Sequence, residues 1–108
     1  MKSIGDRYED TAIDILITNG LSILARNFSR KTGEIDIIAL DKTCVVFLEV
    51  RLRSNPGYAG AAASVDRRKQ QRIIRTAQLY LRANPILSQS PCRFDVIAFE
   101  PRQSTDEL

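Results

Sequence analysis

The chain contains no histidine in its 108 residues. That excludes the serine–histidine and cysteine–histidine nucleophile systems and any histidine-ligated zinc centre. Catalysis by such a chain would rest on carboxylates, lysine, tyrosine, serine or a bound metal. Cysteine occurs twice, at Cys44 and Cys92. Two thiols without framework spacing do not make a disulfide scaffold, and both are expected to be reduced. No apolar run approaches the ~18 residues of a membrane span. Met1 leads straight into Lys2, Asp6 and Arg7, so no secretory leader is expected. Those two absences give a soluble cytoplasmic protein, with no membrane partner, as the expectation.

What is present is ordinary in amount and unusual in arrangement. Hydrophobic residues make up 44% and charged residues 27%, which suits a globular chain rather than a disordered one. The length suits one domain with one core, expected over residues 1–100 and followed by a polar tail at 101–108. The formal net charge is only +3. Residues 51–82, however, hold Arg51, Arg53, Arg67, Arg68, Lys69, Arg72, Arg75 and Arg82 against Asp66 alone. The rest of the chain is net acidic. A basic segment beside an acidic one suits an anionic polymer held close to a cation.

Periodicity places the elements. Glu9, Ala12, Ile13, Leu16 and Ile17 repeat with helical spacing and predict a helix over Gly5 to Thr18, closed by Asn19-Gly20. Leu21 to Phe28, Glu34 to Leu40 and Thr43 to Arg51 predict three strands. The last two are expected to form a hairpin through Asp41-Lys42. Residues 54–64 contain Pro56, Gly57 and Gly60 and read as a loop. A second helix is expected over Val65 to Ala83, stopped by Asn84-Pro85, and a last strand over Pro91 to Phe99. The order α-β-β-β-α-β predicts an α/β fold. It has a single mixed β-sheet flanked by helices, and its last strand returns parallel through a crossover.

The carboxylates inside these strands need a reason, because a buried charge costs several kcal/mol unless it is paired. With a two-residue loop at Asp41-Lys42, Leu40 pairs with Thr43 and Asp36 with Phe47. Glu34, Asp36, Glu49 and Arg51 then emerge on one face at the open end of the hairpin. Asp36 and Glu49 become diagonal neighbours, with Cα atoms roughly 7–8 Å apart. Two carboxylates so placed can share one divalent cation. Glu9 falls at the centre of the apolar stripe of the first helix, so it is expected to face the sheet. Ion pairing is the plain alternative, with Glu49 on Arg51 or Arg26 and Glu9 on Arg93.

At these residues the sequence resembles the YraN family of bacterial proteins. Gly33-Glu34-Ile35-Asp36 and the strand end Glu49-Val50-Arg51 match a family pattern of GEID followed by FVEVK. The likeness extends to Arg26-Asn27, Lys69, Arg72-Ile73, Ala77, Tyr80-Leu81 and Arg93-Phe94-Asp95-Val96. The resemblance implies a restriction-endonuclease-like fold related to archaeal Holliday-junction resolvases, with a motif similar to the PD-(D/E)XK nuclease signature. It makes Asp36 and Glu49 the catalytic acids, with Glu9 as the helix-borne acid. Together Glu9, Asp36 and Glu49 would hold Mg²⁺ or Mn²⁺.

One position departs from the pattern, since the family lysine is Arg51 here. A guanidinium keeps its proton, with a pKa above ~12. Arg51 can therefore stabilise a phosphate but cannot act as a base, unless Lys69 or Lys31 takes over the lysine's place. On the second helix Arg68, Arg72, Arg75 and Arg82 share one face, with Ile73, Ile74, Ala77, Tyr80 and Leu81 on the other. Arg53, Arg67, Arg68, Lys69, Arg72 and Arg75 are the expected nucleic-acid contacts, and Tyr58 is a candidate base-stacking residue. The expected function is a metal-dependent nuclease acting on DNA, branched DNA included, with pairing of two copies a further expectation. The alternative is a nucleic-acid-binding module that keeps the fold without the chemistry. A protein–protein adaptor using the sheet edge is a third reading.

Overall fold

A computed structural model describes residues 4–52 and 66–100. Helix α1 spans Ile4–Thr18. Three strands follow, β1 at Ser22–Arg30, β2 at Gly33–Asp41 and β3 at Cys44–Leu52. Helix α2 spans Arg67–Ala83, and a single 3₁₀ turn at Pro85–Leu87 leads to β4 at Cys92–Phe99. The expected loop at 54–64, with Tyr58, lies outside the described residues, as do Arg53, Val65 and the tail at 101–108.

The strands form one mixed sheet in the order β1-β2-β3-β4. The first three are antiparallel neighbours, and β4 returns parallel to β3, Val45 opposite Cys92 and Leu52 opposite Phe99. This is the expected α/β architecture and the expected α-β-β-β-α-β order. Among the described residues, no helix is long and apolar enough to cross a membrane.

Each helix covers one face of the sheet. Ala12 and Leu16 of α1 pack on Ile37, Ala39, Val46 and Leu48. Ile73, Ala77 and Tyr80 of α2 pack on Ile35, Ile38, Val45 and Phe47. Strand side chains alternate between faces, so Val45 and Phe47 belong to one core and Val46 and Leu48 to the other. Both central strands are thus apolar on both sides, which is why β2 and β3 read as nearly continuous runs of Ile and Val. Two helical expectations shift. Ile17 is 56% exposed and Ile74 44% exposed, so both apolar stripes are narrower than the sequence suggests. Thr76, a polar residue, is fully buried instead.

The hairpin register also differs from expectation. Asp41 pairs with Cys44 and Leu40 with Val45, so the loop is Lys42-Thr43 rather than Asp41-Lys42. Lys42 takes the left-handed turn conformation at φ 57. The shift is two residues along the register, so the parity of the faces survives. Regular pairing ends at Ile37 and Leu48. Continued one step further, that register sets Asp36 directly across from Glu49, not from Phe47.

Candidate metal and phosphate site

The end of the β2–β3 ladder is where the site is built. Ile35 and Ile37 fall in opposite cores, so strict alternation breaks at Asp36. Across β1, Arg26 pairs with Ile37 and Phe28 with Ile35. The residue facing Asp36 is therefore Asn27, which adopts a left-handed φ of 54. Asparagine tolerates that conformation better than most side chains. The local distortion turns Asp36 toward β3, where its Oδ2 accepts a hydrogen bond from the Val50 backbone N–H at 2.8 Å. The carboxylate replaces the missing strand partner and is held by it.

Glu49 points to the α2 face and is only 7% exposed. Its Oε2 lies 3.1 Å from Lys69 Nζ on α2. Its Oε1 is buried and has no hydrogen-bond partner among the described residues. Burial, and next the negative charge of Asp36, push the Glu49 carboxyl above its ordinary range. The hydrogen bond and charge of Lys69, and then the charge of Arg51, oppose that shift. Lys69 is in place because Asp66 caps α2, its Oδ1 accepting from the Lys69 backbone N–H at 2.8 Å. That cap starts the helix with Lys69 in its first turn, over the sheet.

Glu49, Asp36, Glu34, Lys69, Arg72 and Gly33 wall a recess of about 330 Å³. Gly33 is a close approach: a Cβ there would meet Thr76 Oγ1 at 3.4 Å and Arg72 Cβ at 3.6 Å. Its φ of +151 also disfavours a side chain. Thr76 Oγ1 donates to the Arg72 carbonyl at 2.9 Å and meets Thr32 Oγ1 at 2.6 Å. With its one hydrogen committed to Arg72, Thr76 accepts from Thr32. The β1–β2 turn is thereby tied to α2 beside the site.

Several candidate residues meet here and others do not. Asp36, Glu49, Lys69 and Arg72 come together. Arg51 does not wall the recess, though its charge acts on Glu49, and its Nε is buried with no partner among the described residues. Lys31 lies exposed in the β1–β2 turn and is not among the recess walls, so Lys69 is the lysine the site contains. Arg67, Arg68 and Arg75 are exposed on α2, as is Arg72. Arg53 lies outside the described residues.

Glu9 does not wall this recess with Asp36 and Glu49. It faces the sheet, but from the α1 side, where Arg26 Nε meets its Oε1 at 3.3 Å. Arg26 also binds Asp10 and the Asp6 carbonyl. Among the described residues, no three carboxylate or thiol groups gather as metal ligands. The alternative pairing of Glu9 with Arg93 does not form among the described residues, since Arg93 pairs with Asp41 and Asp95 at 3.1 and 3.0 Å. The role of Thr76 was not signalled, because a threonine inside a helical apolar stripe reads as a neutral filler.

The chain belongs to the uncharacterised protein family UPF0102, whose model matches residues 8–99. It is 46% identical to a UPF0102 protein of Pseudomonas entomophila over 96 residues, 89% of this chain and 78% of that one. It is 48% identical to a UPF0102 protein of Alcanivorax borkumensis over 100 residues, covering 93% and 80%. A UPF0102 protein of Stutzerimonas stutzeri is 45% identical over 106 residues, covering 97% and 88%. Among solved structures, an EndoMS–dsDNA2 complex matches 88% of this chain at 14% identity with a TM-score of 0.40. The match spans 45% of that longer chain.

Proposed function

We propose that the protein binds nucleic acid, DNA in the first instance, across the exposed arginines of α2, and hydrolyses a phosphodiester at the Glu49 recess. The observation that carries this reading is the buried, unpartnered Glu49 Oε1 beside Asp36 and Lys69. A carboxylate oxygen left without a donor in a low-dielectric setting is costly, and a divalent cation would offset that cost. Asp36 and Glu49 would hold Mg²⁺ or Mn²⁺ with water and phosphate oxygens completing the shell. Such a two-carboxylate arrangement is usual for Mg²⁺ in phosphoryl chemistry. The cation would supply Lewis acidity and a lowered pKa for attacking water.

The chain's own residues have separable parts in this reading. Asp36 is held by Val50, so one oxygen stays committed to the fold and the other serves the site. Lys69 supplies the ammonium that Arg51 cannot replace, orienting water or holding a non-bridging phosphate oxygen. Arg72 receives a neighbouring phosphate, and Arg67, Arg68 and Arg75 extend the grip along the backbone.

The test is calorimetry with Mg²⁺ and Mn²⁺, followed by cleavage assays on junction, flap, bulged and linear DNA. Saturable metal binding and cleavage are expected, both lost in Asp36→Asn. Absence of cleavage with either ion at high enzyme concentration rules the hydrolytic reading out. A second reading, binding without hydrolysis, is favoured by one observation. Lys69 Nζ already sits on Glu49 Oε2 at 3.1 Å, supplying some of the positive charge a metal would bring. Activity that arises only in Arg51→Lys would select this second reading.

A further inference from the structure

On the other side of Glu49 lies a second recess, about 250 Å³ in volume and mostly apolar. It shares Glu49 and Ile73 with the charged recess and extends toward β4. Its floor is aromatic. Phe94 stacks on Phe47 with ring centroids 5.3 Å apart and planes 26° apart. One face of Phe94 is taken by Phe47, yet the residue remains 50% exposed. The cause is topological: the core under α2 is centred on β2 and β3, and β4 is added at the sheet edge. Ile74, on the outer flank of α2, forms the opposite wall and is also exposed.

We propose that this recess receives a single nucleobase turned out of a strand whose phosphate is held at Lys69 and Arg72, so that the preferred ligand carries an unpaired base. The proposal rests on the phosphate-binding part of the reading above, not on hydrolysis. Three features select a base over other occupants. The recess adjoins the cationic one, as a base adjoins its own phosphate through one sugar. Its volume suits one ring system and is too small for a helix or strand of a partner. Its apolar, aromatic floor gives way to Glu49, Gln70 and Asp95 at the walls, where the polar edge of a base would lie. A flat ring between Phe94 and Ile74 would be bound by stacking, which every base can supply.

The test uses the full chain and two duplexes of equal length, one fully paired and one with a single bulged 2-aminopurine. At low salt the bulged duplex is expected to bind about tenfold more tightly, with the probe's fluorescence altered by stacking. Phe94→Ala should bring the two affinities within about twofold, while Phe94→Tyr keeps the preference. Phe94 is half exposed, so the alanine variant should fold, which its far-ultraviolet circular dichroism will establish. Equal affinity of the wild type for the two duplexes overturns the proposal, as does a preference that survives Phe94→Ala. Self-association that Phe94→Ala abolishes also overturns it, since a second copy would then be the occupant. If neither duplex binds, the phosphate reading falls as well. If the bulge preference holds without any cleavage, only hydrolysis falls.

Discussion

Asp36 has two tasks that one substitution can separate. Its Oδ2 completes the strand end by accepting from Val50, and its charge acts on Glu49. Asp36→Asn keeps an acceptor for Val50 and removes the charge, whereas Asp36→Ala removes both. The alanine variant should therefore lose about 1.5–3 kcal/mol of stability in denaturant titrations, the range for hydrogen bonds to charged groups. The asparagine variant should lose much less while abolishing metal binding equally. Glu49 gives a prediction in pH. Its folded pKa lies above the ordinary 4.5, chiefly through burial. The unfolded chain then ionises first, so stability is fully present below the ordinary pKa and falls as pH rises through the folded value. In metal-free buffer, Glu49→Gln should remove that fall, leaving a flatter profile of melting temperature against pH. An unchanged profile would mean that Lys69 fully compensates the buried charge.

At the scale of elements, α2 and the β1–β2 turn are joined by two hydroxyls. Thr76→Val retains shape but leaves Thr32 without its acceptor and the Arg72 carbonyl without its extra donor. A loss of about 1–2 kcal/mol is expected from two such bonds in a partly buried setting. Weaker Mg²⁺ binding should accompany it, because Gly33 beside Thr76 walls the recess. Thr32→Val removes only the shared bond and should cost less, about 0.5–1.5 kcal/mol, and a double mutant no worse than Thr76→Val alone would establish that the pair works as one unit. The elements were largely legible in advance: helical spacing in α1 and α2, and apolar runs in β2 and β3, are strong signals. The hairpin loop was not, because Asp41, Lys42 and Thr43 are all acceptable turn residues and nothing local chooses between them. The facing of Glu49 is as expected because the shift was two residues, which preserves faces; a shift of one would have turned Glu49 to the α1 side. Glu9 lies apart from the recess, on Arg26. Helical periodicity says that it faces the sheet but not which face of the sheet α1 covers, and that is a property of the assembled fold.

For the whole molecule, the relevant feature is where positive charge is already spent. Arg26 is committed to Glu9 and Asp10 beneath α1, and Arg93 to Asp41 and Asp95 at the far end of the hairpin. Along α2 the only acid in the neighbouring sequence is Asp66, and its Oδ1 caps the helix. Arg68, Arg72 and Arg75 stand at i, i+4 and i+7, all exposed, and so form one stripe on the solvent side. A phosphate backbone laid on this stripe displaces counterions, and affinity for duplex falls with salt at a slope of about −0.9 per phosphate neutralised. Arg68→Gln and Arg75→Gln should each reduce the slope of log affinity against log salt by about 1, and by about 2 together. Arg93→Gln should leave the slope unchanged, although it removes as much formal charge, because its charge is held by two carboxylates away from the stripe. Equal effects of all three substitutions in fluorescence anisotropy titrations would show that net charge alone governs binding. A change confined to Arg68 and Arg75 would place the nucleic acid along α2, passing the Glu49 recess on its way.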